Sequence, residues 1–402
     1  MTNYFRQLDL TQNPFPPAAS GLGGILHAKA YLPQKLINKI EKFYNDMSTG
    51  DDGVKLFPII GNYGSGKTAM LSGYLRFFFE ERNIKVIYFD NPGVEFYDLA
   101  DTLMRSLGRY EFAKAIWEMV KPYLEKFDKQ PKLFEQSFDD FLTNVKNNSE
   151  INRQISIFQK IIVEDLELTK DEEVAAKLGK LVIETKKKSY FDAKDFESNN
   201  DSLVPQKQEV QFFSTIVKAI VKIYNVAGVA FLIDEFEEIA ISEAITRQKK
   251  YSYLTTLRRL IDFAVVEKLW IAVSMTDSAK DIVVKDNPAL WERFSNSENS
   301  TINLEPFDEI QIKEWLIWWL NRYRIDKNSS KHYNSIFPFP EKFTSIFTKD
   351  AKRCIPRKLV KSFFQILADA KQEQLPPDKI TIEFMESVVD KLFPIQEIEH
   401  EL

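Results

Sequence analysis

The chain has 402 residues, with 54 Lys and Arg against 59 Asp and Glu, and a formal net charge of −5. This length exceeds one compact core, so two or three domains are expected, and the acidic balance excludes a protein that coats DNA with its whole surface. The single cysteine, Cys354, excludes an intrachain disulfide, and with only three histidines beside it a structural zinc site is not expected.

Hydrophobic residues make up 44% and charged residues 28%, the balance of a globular chain rather than a disordered one. The opening MTNYFRQLDLTQ has no basic stretch leading into an apolar core, so it does not read as a secretory signal. The longest apolar runs, at 269–275 and 315–320, fall far short of the roughly 20 residues that span a bilayer. The expectation is a cytoplasmic protein with no membrane partner.

Residues 1–32 read as an irregular N-terminal segment, with NPFPP at 13–17 and GLGG at 21–24. A helix follows at 33–47, with Leu36, Ile37, Ile40, Phe43 and Tyr44 on one face, then a turn at 48–53. KLFPIIG at 55–61 is a short apolar strand that runs into a glycine-rich loop, and helix signals take over at 67–81. IKVIYFD at 84–90 is a second strand and 95–107 a helix. The span 109–206 is charged, helical in period and poor in β-branched runs, and it closes on the polar tract SNNDS at 198–202. It reads as a helical insertion. The helix at 209–224 returns the chain to strands at 228–235, 269–276 and 300–306, with a helix at 244–267 between the first two. Apolar strands alternating with helices predict an α/β fold with a parallel five-stranded sheet flanked by helices. Helices at 308–323, 341–348, 356–373 and 381–392 predict a small C-terminal α-helical domain.

The chemistry concentrates after the first strand. Gly61, Asn62, Tyr63, Gly64, Ser65, Gly66, Lys67 and Thr68 fit the pattern G-x-x-x-x-G-K-[ST]. Glycines there let the backbone turn N–H groups toward phosphate oxygens. Lys67 offers its charge to the β- and γ-phosphates, and the Thr68 hydroxyl can ligate Mg²⁺. The predicted strand before the loop and helix after it are the context this motif requires. The implied ligands are ATP and Mg²⁺.

Asp234 ends the third strand, after Val229, Ala230, Phe231, Leu232 and Ile233, where a carboxylate can hold the water shell of Mg²⁺. Glu235 is placed to polarise an attacking water, or else is a solvated residue opening the next helix with Glu237 and Glu238. The fourth strand ends in Ser274, Thr276 and Asp277. Thr276 is the choice for a water-orienting hydroxyl, with strand-end capping as the alternative. Arg293, in PALWERF, and Arg357, in CIPRKLV, are candidate cations for the γ-phosphate. For each, an ion pair at the surface or between domains is the other reading.

This arrangement resembles the AAA+ ATPases over about 33–108 and 207–393. GNYGSGKT resembles the family's Walker A and LIDE its Walker B. Thr276 falls where sensor 1 is expected, WERF is similar to the arginine-finger segment, and IPRKL resembles sensor 2. The resemblance implies an ATPase core at 33–108 and 207–306 and an α-helical lid at 307–402. It implies catalytic roles for Lys67, Glu235, Thr276, Arg293 and Arg357. It also implies a homo-oligomer with a trans-acting arginine. Within the family the chain looks most like origin-recognition initiators, transposition regulators and ExeA-like ATPases, and it also resembles ATPases of BREX-type defence systems. Departures are Cys354 where Gly is common, Thr or Ser in place of Asn at sensor 1, the 109–206 insertion, and no room after the lid for a winged-helix domain.

Basic residues that could meet DNA are Lys186, Lys187 and Lys188, Lys249 and Lys250, and the set Lys349, Lys352, Arg353, Arg357, Lys358 and Lys361. A solvated helix face is the alternative for each. Trp315, Trp318 and Trp319 lie at helical spacing and are expected in the lid core. Three functions stay open: a DNA-associated remodeller, loader or translocation ATPase; a slow nucleotide-gated switch; and an adaptor that recruits a partner protein through 109–206.

Overall fold

The computed structural model describes residues 4–17, 30–49, 55–93, 96–127, 136–145, 147–186, 205–241, 245–264, 269–295, 301–326 and 330–394. GLGG at 21–24, most of the 48–53 turn, Lys187, Lys188 and the SNNDS tract lie outside these residues. So do Glu95, Ser300 and the predicted helix ends at 244 and 265–267.

Five strands form one sheet: β1 (Lys55–Ile60), β2 (Ile84–Phe89), β3 (Gly228–Ile233), β4 (Leu269–Met275) and β5 (Ile302–Asn303), in the order β2-β3-β4-β1-β5. β2 with β3, β3 with β4, and β1 with β5 all pair parallel. β3 and β4 are buried along their whole length, which is why they read as unbroken apolar runs. β5 is shorter than the 300–306 expected. After Leu304 donates its N–H to the Ile60 carbonyl, at 2.7 Å, the chain reaches Pro306, which has no N–H to give a ladder.

The chain divides into two compact units. One comprises Phe43–Pro58 and Arg76–Thr301. It holds β2, β3 and β4 with their helices, and the helical insertion. Within the insertion the helices Arg109–Val120, Phe138–Asn144, Asn148–Lys160 and Glu172–Ile183 gather around Trp117. That indole is fully buried and stacks on Phe141, with centroids 4.1 Å apart, and on Phe158 at 6.1 Å. Burying three such rings supplies several kcal/mol, on the order of 2–3 each, toward ordering this subdomain. Ser137, Asn147 and Asp171 each cap the helix that follows by accepting from its backbone N–H groups.

The other unit comprises Met1–Lys42, Ile59–Leu75 and Ile302–Leu402. Its helices Glu309–Tyr323, Thr344–Thr348, Pro356–Gln372 and Ile382–Leu392 enclose an apolar core that contains Trp315, Trp319 and Phe363. Trp318 lies partly buried at its edge, with the Arg322 guanidinium 4.6 Å from its ring.

The N-terminal segment, expected to be irregular, is part of this core. Tyr4, Phe5, Leu8, Leu10 and Phe15 are all buried in it. Phe15 lies 5.3 Å from Phe363 and 5.6 Å from Trp319, ring to ring. Asn13 donates to the Phe364 carbonyl at 3.1 Å and accepts from the Phe15 N–H, so NPF works as an anchored turn that inserts its phenylalanine. Arg324, nearly fully buried, binds the carbonyls of Leu8, Ser335 and Phe337 and holds the segment from the other side.

Candidate nucleotide site

The loop between β1 and the helix that opens at Lys67 is shaped by its glycines. Gly64 has φ +81° and Gly66 φ +100°, conformations that residues with a Cβ rarely adopt. At Gly64 a Cβ would sit 2.7 Å from the Cβ of Arg357, and at Gly61 it would collide with the Ser65 hydroxyl. The Ser65 N–H closes the turn on the Asn62 carbonyl at 3.1 Å. The Ser65 hydroxyl itself is buried and has no hydrogen-bond partner among the described residues. A buried hydroxyl without a partner costs about 1–3 kcal/mol.

Lys67 is buried, donates to the Gly61 carbonyl at 2.9 Å, and lies 5.3 Å from the centre of the Tyr63 ring, itself 68% exposed. Thr68 is exposed. The helix continues past Met70 through a π-helical turn at Leu71–Leu75.

Arg357 meets this loop directly. It occupies the first turn of the helix Pro356–Gln372, where Pro356 needs no N–H partner. Its backbone N–H donates to the Gly64 carbonyl at 3.1 Å, and its side chain is exposed. Arg353 anchors the turn before it: fully buried, it pairs with Asp390 at 2.7 Å and also donates to the Phe393 carbonyl.

The acidic residues form a second cluster, in the unit that holds β2, β3 and β4. Asp234 is 2% exposed, and its N–H donates to the Phe89 carbonyl at 2.9 Å. Its carboxylate accepts from Ser274 and from the Glu235 N–H on Oδ1, and from the Tyr88 hydroxyl on Oδ2 at 3.0 Å. Burial first, then the charge of Asp234, pushes the Tyr88 phenol well above its ordinary range. Glu235 has φ +51°, a strained setting for a non-glycine residue, and its carboxyl is exposed. Partial desolvation first, then the charges of Asp234, Glu238 and Glu237, raise that carboxyl above the usual glutamate range.

The remaining candidates are held otherwise. Thr276 is buried and caps the helix Asp277–Asp286, its hydroxyl accepting from the Ala279 N–H at 3.3 Å. The hydroxyl that reaches the Asp234 carboxylate is that of Ser274, two residues earlier. Arg293 pairs with Asp262 at 2.8 Å, which raises its guanidinium pKa further. Of the basic residues, Lys349 pairs with Glu386, Lys358 and Lys361 lie over the Phe393 ring, Lys250 binds the Ala240 carbonyl and Lys186 the Thr143 hydroxyl. Sequence reasoning missed Tyr88. A tyrosine near the end of a mostly apolar strand was the one hint, and it does not name its partner.

Among the described residues no group of three or more His, Cys, Asp or Glu side chains forms a metal site, and no helix is long and apolar enough to cross a membrane. Compared with protein-family models, curated proteins and solved structures, the chain finds no match.

Proposed function

We propose that the protein binds and hydrolyses ATP as an AAA+ ATPase, acting as a homo-oligomer that remodels, loads or moves on DNA. The observation that carries the ATP reading is the 61–68 loop. It combines two glycines at positive φ, a buried lysine and a buried hydroxyl lacking a partner among the described residues, between a parallel strand and a helix. A neutral structural turn uses positive-φ glycines too, but needs neither the buried lysine nor the unpartnered hydroxyl.

In this reading Lys67 and the loop N–H groups bind the phosphates. Thr68 and Asp234 would hold Mg²⁺, which when bound neutralises phosphate charge. Two protein ligands suit an ion that keeps most of its waters and shares the phosphates. Glu235 takes the proton of the attacking water. Arg357, beside Gly64, serves the γ-phosphate of its own chain, and Arg293 that of a neighbour.

Steady-state ATP hydrolysis, with and without double-stranded DNA, tests the proposal. Glu235→Gln should cut turnover by about 10²–10⁴-fold while ATP still binds. DNA-stimulated turnover that disappears in this variant supports the full reading. Turnover that survives the substitution removes Glu235 as base, and turnover indifferent to DNA removes the DNA role.

A second reading is favoured by the Arg293–Asp262 pair. With its finger engaged within the single chain, the protein would hydrolyse slowly and act as a nucleotide-gated switch that assembles on ATP.

A further inference from the structure

We infer that Tyr88 is a positioning residue for the metal-binding carboxylate of Asp234, an inference that rests on the ATP·Mg²⁺ reading above. The geometry follows from strand register. Tyr88 on β2 pairs with Leu232 on β3, so Asp234, two residues beyond Leu232, is its diagonal neighbour on the same sheet face. That diagonal is too long for a small side chain but within reach of an aromatic one, and the Tyr88 hydroxyl closes it on Oδ2 at 3.0 Å.

On the other flank, Ile233 pairs with Val273 of β4, which brings Ser274 alongside Asp234. Ser274 holds Oδ1, together with the Glu235 N–H. The carboxylate is thereby spanned between β2 and β4, with one hydroxyl from each strand on a different oxygen.

Three donors occupy three of the roughly four lone-pair sites of a carboxylate. The carboxyl plane is fixed, and the remaining acceptor position lies on Oδ2, the oxygen that Tyr88 orients. An ion that binds through its water shell depends on that orientation, because a metal-bound water must find the lone pair where the site presents it. Ser274 alone leaves the carboxyl free to rock about its Oδ1 contacts. Tyr88 removes that freedom. A tyrosine is suited to this task because the ring packs with the sheet while only its hydroxyl reaches the acid.

The test separates metal from nucleotide and uses Tyr88→Phe, which keeps the ring. Mn²⁺ binding to the full-length protein with ADP present is measured by electron paramagnetic resonance. ADP binding without metal is measured in EDTA by calorimetry. Mn²⁺ affinity should fall about tenfold, the lower end for groups that orient a metal ligand. ADP affinity in EDTA and the melting temperature should stay at wild-type values. Asp234→Asn is the control and should lose more Mn²⁺ affinity than Tyr88→Phe. If Tyr88→Phe leaves Mn²⁺ affinity unchanged while Asp234→Asn weakens it, the positioning role is wrong and the ATP·Mg²⁺ reading stands. An equal fall in metal-free ADP binding also overturns the role, since the hydroxyl then supports the fold at large. If Asp234→Asn has no effect, or the wild-type protein with ADP binds no Mn²⁺, the parent reading fails and takes this one with it.

Discussion

The phosphate loop and the acid cluster are made in opposite ways. The loop is local: eight consecutive residues shaped by backbone, where the absence of a side chain at Gly61 and Gly64 matters as much as the presence of Lys67. The acid cluster is non-local. Tyr88, Asp234 and Ser274 come from three stretches of chain and meet only because strand register brings them together. One is specified by what cannot fit and the other by what reaches across. The loop should therefore fail abruptly when a single atom is added, and the cluster should degrade by degrees as donors are removed.

Adding that atom gives the largest expected effect. Gly64→Ala meets both a positive φ and the Arg357 Cβ, whereas Gly66→Ala meets only the positive φ, with no atom of the described residues within 4 Å of its new Cβ. Backbone strain alone costs on the order of 1–3 kcal/mol, and forced contact a similar amount again. Chemical denaturation should show Gly64→Ala to be the less stable of the two by about 1–3 kcal/mol, and its ATP affinity should fall with it. Arg357→Gly removes the colliding atom and should recover part of the Gly64→Ala loss. Equal losses at Gly64 and Gly66, with no recovery, would mean that the fit against Arg357 does not shape the loop.

The same contrast explains what could be read from sequence. Four of the strands were legible because buried parallel strands are apolar throughout, and the loop was legible because its whole specification is contiguous. Strand order, with β4 between β1 and β3, was not, since no local pattern encodes which strands become neighbours. The partner of Tyr88 was not legible for the same reason: it is 146 residues away. The packing of the N-terminal segment was not legible for a different one. A four-residue helix and an NPF turn have no periodicity to reveal that Phe5, Leu8 and Phe15 are core. Thr276 and Ser274 are both hydroxyls at one strand end. Only the register shows that Ser274 flanks Asp234, while Thr276 begins the next helix.

A smaller effect tests the graded character of the acid cluster. The Glu235 carboxyl is raised first by partial burial, then by Asp234, Glu238 and Glu237. As a base it must be ionised, so turnover falls as pH drops through its raised pKa, and the acid limb lies above that of an ordinary glutamate, about pH 4.3. Glu238→Gln removes one like charge and leaves the burial. The acid limb of kcat/KM should move to lower pH without reaching the ordinary value. An unmoved limb would separate Glu235 from its neighbours electrostatically, or assign that limb to another group.

The smallest effect belongs to Arg293. Its pair with Asp262 is solvent-accessible on both sides, 36% and 43% by side chain, and such pairs contribute about 0.2–1 kcal/mol. Asp262→Ala should therefore leave the melting temperature almost unchanged. If Arg293 serves a neighbouring chain, however, the same pair competes with that task, and its removal favours the assembled state by up to the same amount. One kcal/mol is a factor of about five in an equilibrium. The protein concentration at half-maximal ATPase activity should fall by no more than about fivefold in Asp262→Ala, and that gain should vanish in the Asp262→Ala, Arg293→Ala double variant. A concentration dependence that ignores Asp262 would leave Arg293 as one half of a surface ion pair.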